Sequence, residues 1–246
     1  MIDELHSFKA IDYRQSVGST QDEMRILARA AAPEFTVVLA ETQTAGRGRR
    51  GKVWQAAPYS GLYFTMLLRP NIDFSSFGLL PLLIGACVAK SIKLETGIAT
   101  LLKWSNDILS ADGRKFAGIL LESELIGKKR VALVGIGINL RNQDFSAEFK
   151  AAALEEFAPV HRRKLLSRIL QTIQTEYALF LEQPSYAGIL WKAQPNFLGQ
   201  EIQILEPNGS VSTGIAQALD SSGGLIVQTS TGSRLLYAGE VSLKRA

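Results

Sequence analysis

Two periodicities divide the chain. Short apolar runs rich in β-branched and aromatic residues, bounded by turn formers, fit strands over residues 9–17, 36–40, 61–68, 100–104, 114–123 and 131–140. Apolar positions instead recur every three or four residues over 77–95, where Leu79, Leu80, Leu83, Ile84, Cys87, Val88, Ser91 and Ile92 share a face. They do so again over 163–182, through Leu166, Ile169, Leu170, Ile173, Tyr177, Phe180 and Leu181. Both stretches are expected to be core helices. A shorter helix runs from Ser19 or Thr20 to about Ala31: either hydroxyl can cap it, and Asp22 and Glu23 suit the positive end of its dipole. Ser75 or Ser76, and later Ser185, are the corresponding cap candidates for the helix at 77 and for one that ends before Pro195. Beyond Asn196 the runs shorten to 201–205, 213–219, 224–229 and 234–237, separated by Pro207-Asn208-Gly209, Ser221-Ser222-Gly223 and Thr231-Gly232-Ser233. Asn-Gly between two such runs signals a hairpin. The pattern therefore divides into a mixed helix-and-strand domain, 1–196, and a small all-β domain, 197–246.

The segment ETQTAGRGRRGKVW, residues 41–54, joins the second and third strand runs. Gly46, Gly48 and Gly51 allow close backbone approach or positive φ, so that N–H groups can converge on an anion, while Arg47, Arg49, Arg50 and Lys52 bring positive charge. No Gly-Lys-Ser/Thr ends the loop, and a strand follows it where a dinucleotide fingerprint needs a helix. Residue chemistry leaves two readings open here, a substrate or phosphate loop and a nonspecific basic patch. Lys103 and Lys115 abut apolar runs, where each either snorkels or serves a site. Gly135 and Gly137 interrupt an apolar strand, which marks the approach of a ligand or a bulge.

Composition narrows the choice. The chain of 246 residues is 46% hydrophobic and 20% charged, which is ordinary globular composition. Its 27 basic and 23 acidic residues give a net +4, and the loop carries four cations, so the remainder is nearly neutral. That favours a local anion site over a broad nucleic-acid face. The single Cys87 excludes an intrachain disulfide and is read as core. Residues 1–4 have neither a basic nor an apolar leader region, and the longest weakly polar run, 77–89, is interrupted by Pro81. It falls short of the roughly 20 residues that cross a bilayer, so a soluble, cytoplasmic protein without a membrane partner is expected.

Four segments together resemble the catalytic core of biotin–protein ligases: GSTQ at 18–21, the 41–54 loop, KWSNDI with GRKFAGILLE across 103–122, and VGIGIN at 134–139. GEVSL at 239–243 resembles that family's C-terminal module. The resemblance implies an α+β fold, a central mixed sheet flanked by helices like that of class II synthetases, followed by a small SH3-like β-barrel. It implies formation of biotinyl-5′-AMP from biotin and ATP with Mg²⁺, then transfer of biotin to a lysine of a biotin carboxyl carrier protein. It places Ser19, Thr20, Gln21 and Gln43 at the ureido end of biotin, with Arg47, Gly48 and Arg49 wrapping biotin and phosphate. Lys115 matches the lysine on the reacting carboxylate and α-phosphate, which makes Lys115, Arg49 and Arg47 the expected catalytic cations. Lys52, Trp54, Asn106 and Asn139, with Arg49 and Lys115, are expected around ATP; Gly118, Gly135 and Gly137 line the pocket, and Asp107 is a candidate for the metal. Small residues at those three positions would leave room for a bicyclic ring and its valeryl chain.

The chain departs from the family pattern at Ser105, where proline is usual, and at Gln21, where asparagine is common. The catalytic pattern begins within the first twenty residues, so no sequence-specific DNA binding is expected; a monomer or homodimer fits the pattern equally. The alternatives are a lipoate–protein ligase, which shares the chemistry but lacks the GRGRRG loop, and a noncatalytic basic nucleic-acid-binding module, which should interleave aromatics with its cations.

Overall fold

A computed structural model describes residues 11–143, 145, 150–206, 208–237 and 240–243. Seven strands form one mixed sheet: β1 (Ile11–Val17), β2 (Val37–Gln43), β3 (Gly61–Leu68), β4 (Leu101–Lys103), β5 (Asp107–Leu109), β6 (Lys115–Ile126) and β7 (Lys129–Asn139). Their spatial order is β1-β2-β3-β7-β6-β5-β4. Only β1 and β2 run parallel, because the connection between them carries a crossover helix, α1 (Thr20–Arg29). The remaining neighbours are antiparallel, with β6 and β7 joined by a tight turn at Gly127, whose φ of 61° lies in the left-handed region.

The strand alternation decides where the site falls. In β3, Leu62, Phe64, Met66 and Leu68 join the large core beneath α2 (Leu80–Thr96), α3 (Arg162–Glu182) and α4 (Tyr186–Lys192). Leu67, with Val38 and Leu133, packs against Met24 and Ala28 of α1 on the opposite face. Ile119, Val134, Ile136 and Ile138 likewise face the large core, so the residues between them on β6 and β7, Gly118, Gly135 and Gly137, turn to the α1 face. An apolar side for packing and a Cβ-free side for a cleft thus come from one two-residue repeat.

The helical stretch 74–96, which contains α2, is apolar enough by length and composition to cross a membrane, but 72% of its apolar window is buried in the fold. Gly97, with φ of 72°, closes it in the left-handed conformation. Its start differs from expectation: residues 74–79 form a 3-10 turn without a side-chain cap from Ser75 or Ser76, and α2 begins only at Leu80, with Pro81 in the first turn, where a missing N–H breaks no helical bond. Ser185 occupies the cap position of α4 without capping it; its Oγ accepts from Gln183 Nε2 instead (3.1 Å). Leu181, expected on the buried face of α3, is 36% exposed, and Leu165 is buried instead. Ser105 and Asn106, turn-forming residues, form a turn after β4, and Asp107 opens strand β5.

The C-terminal strands β8 (Glu201–Leu205), β9 (Val211–Leu219), β10 (Leu225–Thr229), β11 (Gly232–Leu236) and β12 (Glu240–Leu243) form an antiparallel sheet in the order β11-β10-β9-β8-β12. Among the described residues no β11–β12 ladder closes it into a barrel. Ile202, Ile204, Ala216, Leu225 and Val227 belong to the same apolar cluster as α2 and α3, so this sheet shares the core of the larger one. A polar tie reinforces the contact: Trp104 Nε1 donates to the Gly223 carbonyl (2.9 Å). Lys9, Pro207 and Gly239, each part of an expected strand, turn or motif, lie outside the described residues.

Candidate active site

Beyond the end of β2, residues 46–54 form a tight hairpin over the glycine face of β6 and β7. Arg47 pairs with Val53 across it, the Gly48 N–H donates to the Lys52 carbonyl (2.7 Å), and the Trp54 N–H donates to the Gly46 carbonyl (2.9 Å). The glycines serve this closure. A Cβ on Gly46 would sit 2.4 Å from the Trp54 carbonyl oxygen, and Gly51 takes φ of 74° beside Arg50, itself left-handed at 56°. Because the Gly48 and Trp54 N–H groups are consumed inside the hairpin, they do not converge on an anion as the glycine spacing suggested; the cationic side chains remain for that task.

Those side chains diverge. Arg47 reaches Asp22 on α1 (2.9 Å) and Glu122 on β6 (3.1 Å), which Arg25 also bridges at 2.6 Å each. Arg49 turns the other way: its Nη1 donates to Ser105 Oγ (2.6 Å) and Asn106 Oδ1 (2.7 Å). Burial, helped by the adjacent Arg50, lowers the Arg49 pKa below the ordinary guanidinium value, and the charge of Asp107 opposes the shift. A guanidinium so placed still stays cationic at neutral pH. Lys115, at the start of β6, pairs with Asp107 Oδ1 at 2.7 Å, an approach off the hydrogen-bond axis, so the contact is an ion pair without a formal hydrogen bond. Its Nζ also lies 5.3 Å from the centre of a Trp54 ring.

These residues surround a cleft that is open to solvent. Ser19, Thr20, Gln21, Gln43, Arg47, Gly48, Arg49, Trp54, Asn106, Lys115, Gly118, Gly135 and Gly137 all contribute to its wall. At the α1 end, Ser19 Oγ accepts from the Gln21 N–H (3.3 Å), so the helix cap and a cleft residue are the same side chain. Thr20 donates through its N–H and Oγ1 to Gln43 Oε1 (2.9 and 3.1 Å), and Thr65 Oγ1 donates to Thr20 Oγ1 (2.9 Å). Gln21 Nε2 donates to the Leu120 carbonyl (3.1 Å), which fixes the orientation of its amide and leaves the buried Oε1 without a partner among the described residues. Arg47 Nε and Trp54 Nε1 are open donors in the same sense. Buried polar atoms are almost always paired, and these three belong to residues of the cleft wall, where a polar ligand could satisfy them.

The three glycines act through the protein's own side chains. A Cβ on Gly137 would lie 2.4 Å from Trp54 Cε2, and one on Gly118 would lie 3.0 Å from both Trp54 Cζ3 and Lys115 Nζ. A Cβ on Gly135 would meet the Gln21 amide at 3.2 Å. The room they provide thus first seats the Trp54 indole and the Gln21 amide. Three expected site residues lie off the cleft wall. Lys52 is exposed beside the hairpin's turn; Asn139 is buried and donates through Nδ2 to the Lys115 carbonyl (3.2 Å), anchoring that residue's backbone. Asp107 sits behind Lys115, 3.8 Å from Lys103 as well, and no group of three potential metal-ligating side chains exists among the described residues. Sequence reasoning passed over Phe64, Ile119, Leu120 and Ile136, which complete the wall; on the sequence they are core residues like any others. Asp22 and Glu122 gave no sign beyond their charge, since their partner Arg47 is distant along the chain.

Comparison with known proteins agrees with this geometry. Residues 13–139 match the biotin/lipoate A/B protein ligase family, and residues 197–244 match the biotin protein ligase C-terminal domain. The bifunctional ligase/repressor BirA of Bacillus subtilis is 33% identical over 94% of this chain and 73% of its own length. The biotin–[acetyl-CoA-carboxylase] ligase of Mycobacterium tuberculosis is 29% identical over 95% and 89%. The biotin protein ligase of Aquifex aeolicus, solved with biotin and ATP, superposes with a TM-score of 0.80 at 31% identity, covering 97% of this chain and all of that one. In fold, in its paired sequence signatures and over nearly its whole length, the chain belongs to the biotin/lipoate A/B protein ligase family.

Proposed function

We infer that the chain is an ATP-dependent biotin–protein ligase that makes biotinyl-5′-AMP and passes biotin to a lysine of a carrier protein. The observation that carries the reading is a single cleft with a neutral, hydrogen-bonding end at Thr20, Gln21 and Gln43 and a cationic end at Arg49 and Lys115. Biotin matches both ends: its ureido group offers donors and an acceptor, and its carboxylate needs positive charge. The A. aeolicus complex with biotin and ATP supports the assignment of both substrates.

In the first step a carboxylate oxygen of biotin attacks the α-phosphorus of ATP, and the bond to the bridging oxygen breaks to release pyrophosphate. Two anions must meet, at a cost of about 4 kcal/mol at 4 Å in a surface-like dielectric. Lys115 and Arg49 offset that repulsion and stabilise the charge that gathers on the phosphoryl oxygens. The hairpin excludes water from the mixed anhydride. In the second step the neutral amine of the acceptor lysine attacks the acyl carbon, AMP leaves, and the amine's proton passes to solvent. No side chain need form a covalent intermediate. Mg²⁺ is proposed to arrive with ATP, held by phosphate oxygens, as that ion usually is. Asp107, engaged by Lys115 and Lys103, does not fit a resident metal site, and no step is routed through the ion. We propose the division at residues 196 and 197 as the boundary between the catalytic unit and a supporting C-terminal domain, and a biotin carboxyl carrier domain as acceptor.

Biotin-dependent ATP–pyrophosphate exchange tests the reading, run beside an identical sample with lipoate. Exchange with biotin alone is expected; exchange with lipoate alone moves the chain to the lipoate branch of the family, and none with either refutes the adenylation chemistry. Gly137→Ala puts a methyl group against the Trp54 ring. Displacing the indole should cost about 1–3 kcal/mol of stability as other overpacked sites do, lowering Tm by a few degrees, and raise the biotin KM roughly tenfold. An unchanged KM would show that the indole's seat does not shape the site.

A further inference from the structure

We propose that Ser105 is a positioning residue for the ligase reaction: its hydroxyl holds Arg49 against the cleft and thereby slows escape of the adenylate. The inference rests on the biotin ligase reading. Arg49 Nη1 is shared between two neutral acceptors, Ser105 Oγ at 2.6 Å and Asn106 Oδ1 at 2.7 Å. Asn106 is itself fixed to β6, since its Nδ2 donates to the Ile119 carbonyl (3.1 Å) and the Ile119 N–H donates to the Asn106 carbonyl (2.8 Å). The preceding residue, Trp104, is buried and tied to Gly223. The Ser105 and Asn106 acceptors are therefore mounted on a rigid turn, while Arg49 sits on the hairpin that covers the cleft.

Two of the hairpin's arginines tether it to the body of the protein, and the two contacts differ in kind. Arg47 is held by the carboxylates Asp22 and Glu122, an ionic grip shared with Arg25. Arg49, crowded by Arg50 and partly desolvated, is held by Ser105 and Asn106, which leave its positive charge undiminished and available to a phosphate. A carboxylate in place of Ser105 would neutralise the charge the reaction needs; a side chain without an acceptor would free the guanidinium to swing into water. A hydroxyl gives orientation without neutralisation, which is preorganisation for an anion. A proline at this position has no acceptor to offer, so the contact belongs to the serine of this chain.

The test is the rate at which preformed biotinyl-adenylate leaves the full-length enzyme, chased with unlabelled biotin and ATP, with Tm as a check on folding. Loss of a hydrogen bond to a charged group predicts about a tenfold faster release for Ser105→Ala. Ser105→Thr, which keeps the hydroxyl, should return the rate to within about twofold of wild type, and Ser105→Pro should release as fast as Ser105→Ala. Equal release from wild type and Ser105→Ala overturns the proposal, as does a Ser105→Thr variant that releases as fast as Ser105→Ala at unchanged Tm. Failure of the wild-type enzyme to form any biotinyl-adenylate would instead refute the functional reading on which the proposal stands.

Discussion

Lys115→Ala is expected to lower biotin-dependent ATP–pyrophosphate exchange by about 10²- to 10³-fold, the range seen when one preorganised charge stabiliser is removed from a transition state. Its ammonium lines the cleft within 2.7 Å of Asp107 and is mounted on the first residue of β6, whose carbonyl is held by Asn139 and whose N–H donates to the Lys150 carbonyl (2.6 Å). Both backbone groups are fixed, so only the side chain is free to follow the reacting phosphate. Removing it also takes away the closest cation of the Asp107 carboxylate, which keeps Lys103 at 3.8 Å and the nearby charge of Arg49. The double variant Lys115→Ala/Asp107→Asn separates the two effects. If the loss arises from an uncompensated carboxylate, the double variant regains activity; if it arises from the missing cation at the phosphate, the double variant stays as slow as the single one. Near-normal exchange in Lys115→Ala would remove this lysine from the first step altogether.

What the sequence disclosed follows from the range of each signal. The apolar repeat of α3 and the β-branched runs of β2, β3 and β7 are local, and those elements lie where the repeats place them, within a few residues. The motif resemblance brought together residues as far apart as Ser19 and Gly137, which line one cleft. Tertiary pairing was not legible. Nothing near Glu122 announces Arg47, and nothing near Ser105 announces Arg49, because each contact joins segments more than fifty residues apart along the chain. The glycines gave a partly misleading message for a related reason. Gly118 and Gly137 do face the cleft, yet the atoms that need their missing Cβ belong to Trp54 and Lys115. A glycine reports that something approaches closely; it does not say whether that something is a ligand or the protein itself. Start points were the other weakness: Ser75 and Ser76 have capping side chains, but the 3-10 turn at 74–79 packs Gly78 against the Ser222 carbonyl of the C-terminal sheet, where a Cβ would lie at 3.0 Å. Tertiary packing overrode a local preference.

Arg49→Gly should separate synthesis of the adenylate from its retention. The side chain makes two hydrogen bonds from a cation to the Ser105–Asn106 turn, each worth about 1.5–3 kcal/mol at most and less where water competes. Glycine removes both and adds backbone freedom beside Gly48 and the left-handed Arg50–Gly51 pair. The hairpin then keeps the Arg47 grip on Asp22 and Glu122 but loses the Arg49 contact, and the cleft opens more often. Lys115 remains in place, so pyrophosphate exchange is expected to persist within about tenfold of wild type. Free biotinyl-adenylate should appear in solution about 10- to 100-fold faster, the factor that follows from losing 1.4–2.8 kcal/mol of closure. Since a mixed anhydride in water acylates exposed amines without enzyme, the same variant should biotinylate unrelated lysine-rich proteins that the wild type leaves untouched. Quantifying released adenylate by chromatography, with labelling of a bystander protein as the second readout, decides the matter. Release no faster than wild type would mean that the cover over the cleft is held by Arg47 and the hairpin's own backbone bonds, and that Arg49 serves the phosphate alone.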